Sequence, residues 1–217
     1  GERQLFISTH SAYVLNRLGL DSLRIFYKGC SSEITGLSPD TVSYFQKLPG
    51  YDTLRMVLAH KIVLVEGPSD EILFERFFRD MCGALPMQYG IDVMSMHGLA
   101  LRRCLELCAA IDRPVAILRD NDGCDPEVLR EPVADLLQAG RRELFIGAKE
   151  AGRTLEPQLI SCNSAETLRR VLGITEQADL AKWMTREKTE GALRIASSTE
   201  TIAAPPYMAE AAAFIHG

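Results

Sequence analysis

The stretch Ile62-Val63-Leu64-Val65-Glu66-Gly67-Pro68-Ser69-Asp70-Glu71-Ile72-Leu73-Phe74 decides how the rest of the chain is read. Four apolar residues, three of them β-branched, read as a buried strand. Glu66 ends it, a Gly-Pro turn follows, and Asp70 and Glu71 open a helix. That helix runs over Ser69–Met81, with Ile72, Leu73, Phe77 and Phe78 on one face. Three carboxylates where a buried strand meets a helix repel one another, so something positive must offset them.

Working outward, the same rhythm repeats. Ile91–Met96 reads as a strand and Ala100–Ile111 as a helix. Pro114–Arg119 is a strand, Pro126–Gln138 a helix and Glu143–Ile146 a strand. Strands alternating with helices at this spacing predict βαβ units around a parallel sheet, an α/β fold. Upstream, Gln4–Ser8 and Leu23–Tyr27 read as strands and Ser11–Leu18 as a helix, and Leu48-Pro49-Gly50 marks a loop. Beyond Ala151 the strand signal fades. Ala165–Val171, Ala178–Met184, Thr185–Ala196 and Met208–Ile215 read as a small helical region.

Ligand sites in open parallel sheets form beyond the carboxyl ends of the strands. Glu66 lies at one such end. Arg119-Asp120-Asn121-Asp122-Gly123 follows the strand Val115-Ala116-Ile117-Leu118 and lies at another. If the two strands are neighbours, Glu66, Asp120 and Asp122 converge, and in extended chain the two aspartates point to one side. Such an oxygen-rich cluster suits hard divalent cations, Mg²⁺ or Mn²⁺. Asp70, in the first helical turn, adds a further ligand. Taken singly, an acid at a helix start serves the helix dipole, and an N-D-G run is a turn; the combination carries the reading.

The totals narrow the function classes. The chain has 217 residues, 47% apolar and 24% charged, with a net charge of −5. A domain of this size buries a full core. The acidic balance opposes nucleic-acid binding by charge alone, unless bound metal reverses the local sign. The six cysteines form no C-x-x-C pair, which argues against zinc and for a reducing, cytoplasmic setting. No run is long and apolar enough for a membrane span, and the phosphate-binding pattern G-x-x-x-x-G-K-S/T is missing.

VEGPSD followed by LRDNDG resembles the Toprim domain of topoisomerases, bacterial primases and several nucleases, over roughly Lys61 to Lys149. His97-Gly98 fits its intervening loop. Leu5-Phe6-Ile7-Ser8-Thr9-His10-Ser11 resembles the segment that ends an ABC-type ATPase domain, where His10 would be the nucleotide switch. Without that resemblance, His10 is an ordinary loop histidine. An ATPase tail leading into a Toprim domain resembles the layout of the OLD (overcoming lysogenization defect) nucleases. Thr154-Leu155-Glu156-Pro157 resembles that family's later acidic segment. Arg186-Glu187-Lys188-Thr189-Glu190-Gly191-Ala192-Leu193 resembles its lysine motif, with Glu187 where asparagine is usual.

The resemblance implies a Rossmann-like Toprim sheet flanked by helices. Residues 1–58 would be an ATPase tail and linker, 59–150 the Toprim domain, and 151–217 its completion with the helical region. It implies a two-metal DNA endonuclease using Mg²⁺ or Mn²⁺. Glu66, Asp70 and Asp120 would hold mainly one ion. Asp122 and Glu156, with Thr154 as an extra ligand, would hold or bridge to the other. Lys188 would face the phosphate, and Arg119, Arg102 and Arg103 the DNA backbone. ATP would act only through the missing ATPase portion, as would homodimerisation, and a helicase is a further implied partner. Phage defence or repair is the implied setting. Rival readings are a non-catalytic Toprim scaffold, a topoisomerase or primase domain, and a phosphoacceptor α/β domain using Lys149.

Overall fold

The structure is a computed structural model that describes residues 5–9, 11, 14, 20, 23–27, 30–47, 51–96 and 101–217. At its centre lie four parallel strands, β3 (Lys61–Val65), β4 (Ile91–Ser95), β5 (Val115–Arg119) and β6 (Arg142–Ile146), in the order β4-β3-β5-β6. A separate antiparallel pair, β1 (Arg24–Tyr27) and β2 (Cys30–Glu33), precedes them. The chain steps from β3 to β4 on one side and then returns to β5 on the other. The β3/β5 boundary is therefore the switch point at which parallel sheets place ligand sites.

Period-2 alternation divides the strands between two cores. Val63, Val65, Ala116 and Leu118 face α3 (Pro68–Cys82) and the C-terminal helices. Ile62, Leu64, Val115 and Ile117 face the opposite core with Cys104, Leu105, Leu107 and Cys108 of α4 (Leu101–Ala110). A sheet covered on both faces needs apolar residues at successive positions, which is why these strands read as continuous apolar runs. Helices α1 (Pro39–Lys47) and α2 (Tyr51–Leu58) join the second core through Phe45, Met56 and Val57.

Several readings are corrected. Residues 5–9 form no strand; Leu5 and Phe6 are 81% and 83% exposed, with no neighbouring strand among the described residues. The helix read over Pro126–Gln138 stops as α5 (Pro126–Arg130) and tightens to a 3₁₀ turn over Glu131–Leu136. Pro132 lacks the N–H that an α-helix needs there. The two helices read over Ala178–Met184 and Thr185–Ala196 are present as α8 (Leu180–Arg186) and α9 (Lys188–Ser197), with the break between them moved to Glu187. A further helix, α6 (Leu155–Cys162), stands where none was predicted. Helices α7 (Ala165–Leu172) and α10 (Pro206–His216) agree with the sequence. The helix read over Ser11–Leu18 and the Leu48–Gly50 loop fall largely or wholly outside the described residues.

Arg76, buried within α3, ties this frame together. It donates to the carbonyls of Ile195, Ser198 and Glu200 just beyond and at the end of α9, and pairs with Asp80 at 2.6 Å. The strut fixes α9, whose first residue is Lys188. Replacing Arg76 by leucine would remove the guanidinium donor from all three carbonyls, of which Ile195 keeps the Ser198 N–H. The expected outcome in urea unfolding is a loss of about 3 kcal/mol.

Candidate functional site

The parallel register that opposes Leu64 to Ile117 leaves Glu66 and Asp120 beyond adjacent strand ends. The Asp120 N–H donates to Glu66 Oε1 at 3.2 Å, and Arg119 Nε lies 3.6 Å from the same oxygen. Asp70 sits in the first turn of α3, where its Oδ2 accepts the Gly67 N–H at 3.1 Å. This is the helix-start role expected of an acid, and it fixes the carboxylate toward Glu66. Glu71 turns aside and accepts the Ser95 N–H at 3.2 Å.

Asp122 departs from the extended D-x-D geometry. Its φ is 51°, followed by Gly123 at 85°, so the segment is a left-handed turn. The alternation of an extended strand therefore does not set the two aspartates there; Asp122 is exposed, although its charge still bears on Glu66. Asn121, fully buried between them, sets the turn. Its amide donates to the carbonyls of Gly147 and Gly152, and its oxygen accepts the Gly123 N–H at 2.7 Å. Gln158 reaches the Gly152 carbonyl at 2.7 Å from α6. The two amides lock the Asp120 turn to the loop that delivers Thr154 and Glu156.

Glu156, in the first turn of α6, is buried with its side chain 7% exposed. It pairs with Lys188 Nζ at 3.1 Å, and that lysine is 47% exposed. The Thr154 hydroxyl donates to Glu156 Oε2 at 2.7 Å, so each Glu156 oxygen has a partner. Lys188 starts α9, and its open flank gives its ammonium access to solvent.

The electrostatics report the crowding. Burial, followed by the charges of Glu66, Asp70 and Glu156, pushes Asp120 up to about 8, against the pull of Lys188. Burial and Glu66 push Asp70 up to about 6, opposed by the Gly67 N–H. Burial raises Glu66 too, against its hydrogen bond from Asp120 and the charge of Arg119. Four acids from four segments thus share one field. Among the described residues, however, no group of three or more histidine, cysteine or acidic side chains is arranged ready to hold an ion. The donor set fits a hard divalent cation in kind: carboxylate oxygens, in excess of their positive partners, at a partly dry strand end.

The remaining sequence candidates lie elsewhere. Arg102 is engaged by Asp135 through two hydrogen bonds of 2.8 and 2.7 Å and by the Pro132 carbonyl. Arg103 lies over the Tyr44 ring at 4.5 Å. Lys149 pairs with Asp125 at 3.0 Å. His10 and His97-Gly98 lie outside the described residues. Asn121 and Gln158 were missed, since a lone amide carries no spacing signal.

Residues 57–122 match the family model described as the Overcoming lysogenization defect protein-like TOPRIM domain. The match takes in Glu66, Asp70, Asp120 and Asp122 and ends before Glu156 and Lys188. The fold is similar to the C-terminal region of the Burkholderia pseudomallei OLD protein, with a TM-score of 0.56 and 20% identity over 72% of this chain and 96% of that one. It is also similar to the C-terminal region of the Xanthomonas campestris pv. campestris OLD protein, with a TM-score of 0.54 and 20% identity over 73% and 94%. No curated protein matches the chain.

The raised acids make stability depend on pH. Asp120 titrates at 3.8 when unperturbed and at about 8 when folded. Between those values the folded chain binds the proton that the unfolded chain releases. Its stabilising effect is complete below 3.8 and is lost as pH rises through about 8. In EDTA, melting temperature should fall between about pH 4 and about pH 8, and Asp120→Asn should flatten much of that fall. Gly152, at φ 123°, meets a second constraint: a Cβ there would overlap Pro157. Gly152→Ala should cost about 2 kcal/mol in urea unfolding.

Proposed function

We propose that this chain, which carries an OLD-like Toprim domain over residues 57–122, is a metal-dependent endonuclease that hydrolyses DNA phosphodiester bonds with two divalent ions, Mg²⁺ or Mn²⁺. The observation that carries the reading is the shared field of Glu66, Asp70, Asp120 and Glu156 beside one half-exposed lysine, at the β3/β5 switch point. Glu66, Asp70 and Asp120 would hold mainly one ion. Asp122 and Glu156, with Thr154, would serve the other. When bound, the ions supply Lewis-acid charge on both sides of an in-line displacement at phosphorus.

The chain's own groups divide the remaining work. The Asp120 N–H aims Glu66 Oε1, and the Thr154 hydroxyl aims Glu156 Oε2. Lys188 gives up part of its pairing with Glu156 to meet a non-bridging phosphate oxygen, where negative charge grows as the displacement proceeds. Lysine suits this task because it is a compact charge on a flexible stem. Arg119 is the nearer of the arginines for the DNA backbone; Arg102 would first have to leave Asp135, and Arg103 the Tyr44 ring.

On this reading residues 1–58 carry the tail of an ATPase portion with the His10 switch, ATP and homodimerisation act through that portion in the intact protein, and a helicase is a separate partner. Phage defence or repair in the cytoplasm is the proposed setting. No helix among the described residues is long and apolar enough to cross a membrane.

The test is cleavage of supercoiled and linear DNA with Mg²⁺, Mn²⁺, Ca²⁺ or EDTA, beside Glu66→Gln and Lys188→Met. Cutting that needs Mg²⁺ or Mn²⁺, and falls at least ~100-fold in each variant with the fold intact, is the expected result. A folded chain that cuts under no metal, and binds none, returns the non-catalytic scaffold.

A further inference from the structure

Tyr207 occupies the first turn of α10 and is 4% exposed. Its hydroxyl has no hydrogen-bond partner among the described residues. The direction of α10 places the turn that carries this hydroxyl. At the far end of the helix, the carbonyls of Ile215 and His216 accept from Lys61 Nζ at 2.9 and 3.2 Å. Lys61 opens β3, so α10 runs antiparallel to that strand and packs across β3, β5 and β6. Eleven helical residues span about 16 Å, close to the length of a five-residue strand. The first turn of α10 therefore lies over the carboxyl ends of the strands, where the acids gather. Burial and then the charges of Asp70, Asp120, Glu66 and Glu156 hold the phenol well above its ordinary value, so it stays a neutral O–H donor.

A buried hydroxyl without a partner is costly, and phenylalanine would fill the same space without that cost. The carboxylates nearby are acceptors and, on the nuclease reading, must move inward when ions bind. We propose that Tyr207 is a positioning residue of the acid site, whose O–H completes a hydrogen bond to the Asp70–Asp120 carboxylate pair, directly or through one water, when divalent ions draw those carboxylates together. The inference rests on the nuclease reading and adds to it a donor from outside the Toprim match. Tyr207 acts on the carboxylates and takes no part as a nucleophile.

The experiment compares the full chain with Tyr207→Phe in two measurements, Mn²⁺ binding by calorimetry and melting temperature in EDTA. The expected result is Mn²⁺ affinity about tenfold weaker in Tyr207→Phe, as for one hydrogen bond to a charged group. The EDTA melting temperature should be equal to or above that of the parent chain. In ¹³C-tyrosine spectra the ring signal absent from Tyr207→Phe should shift on Mg²⁺ saturation. Equal Mn²⁺ affinity in the two proteins overturns the inference and leaves the nuclease reading standing. A lower EDTA melting temperature, with affinity unchanged or reduced only in step with it, shows a packing role and also overturns it. A parent chain that binds neither Mn²⁺ nor Mg²⁺ overturns the nuclease reading and this inference together.

Discussion

The parallel pairing of β3 with β5 sets Glu66 and Asp120 beyond adjacent strand ends, and the Asp120 N–H reaching Glu66 Oε1 at 3.2 Å records how closely they are held. The rest of the site is arranged around that pairing. Because β4 lies on the other side of β3, the crossovers must cover opposite faces of the sheet. The two cores meet that requirement, with α3 in one and α4 in the other. Helix α3 then begins directly under Glu66, and its third residue, Asp70, enters the same field. A slip of one residue between β3 and β5 would exchange the side chains that a strand gives to the two cores and move Glu66 out of register with Asp120.

Holding like charges together at a partly buried strand end works against folding, and the chain offsets it locally in three ways. Backbone donors at Asp120 and Gly67 each take one carboxylate oxygen. Arg119 and Lys188 supply two positive charges from different elements. The rest is met by proton uptake, since Asp120 and Asp70 rise toward neutrality when no other cation is near. The Asn121 and Gln158 amides stiffen the loops so that repulsion cannot simply push the acids apart. Arg76 does the same for α9 behind Lys188.

The parallel sheet and the Glu66 and Asp120 strand ends were legible in the sequence because strand periodicity and acid placement are local. What local pattern could not carry came from tertiary contacts. The D-x-D spacing predicted an extended pair of aspartates, whereas buried Asn121 between them sits in a left-handed turn that leaves Asp122 exposed. Helix α6 was missed because Pro157 and a short apolar run mask its period, though its first turn tolerates proline. Arg102 and Arg103 looked like a basic pair, but their partners Asp135 and Tyr44 are distant in sequence. Tyr207 carries no local pattern that marks it; the Lys61 contact with the end of α10 shows which end of the sheet it covers.

The charge balance orders events on the nuclease reading. The chain carries −5 overall, and its site gathers four acids against two nearby cations. A DNA phosphate approaching that site without ions meets like charge in a medium drier than water, where repulsion is poorly screened. Two divalent ions held by these carboxylates would add four positive charges at the point of contact and reverse the sign that the phosphate sees. On that reading ion loading would precede productive phosphate binding. A cation beside Glu156 would also compete for the carboxylate that now holds Lys188 at 3.1 Å. The lysine would then become available to phosphate only once the site had gained the charge that lets phosphate enter.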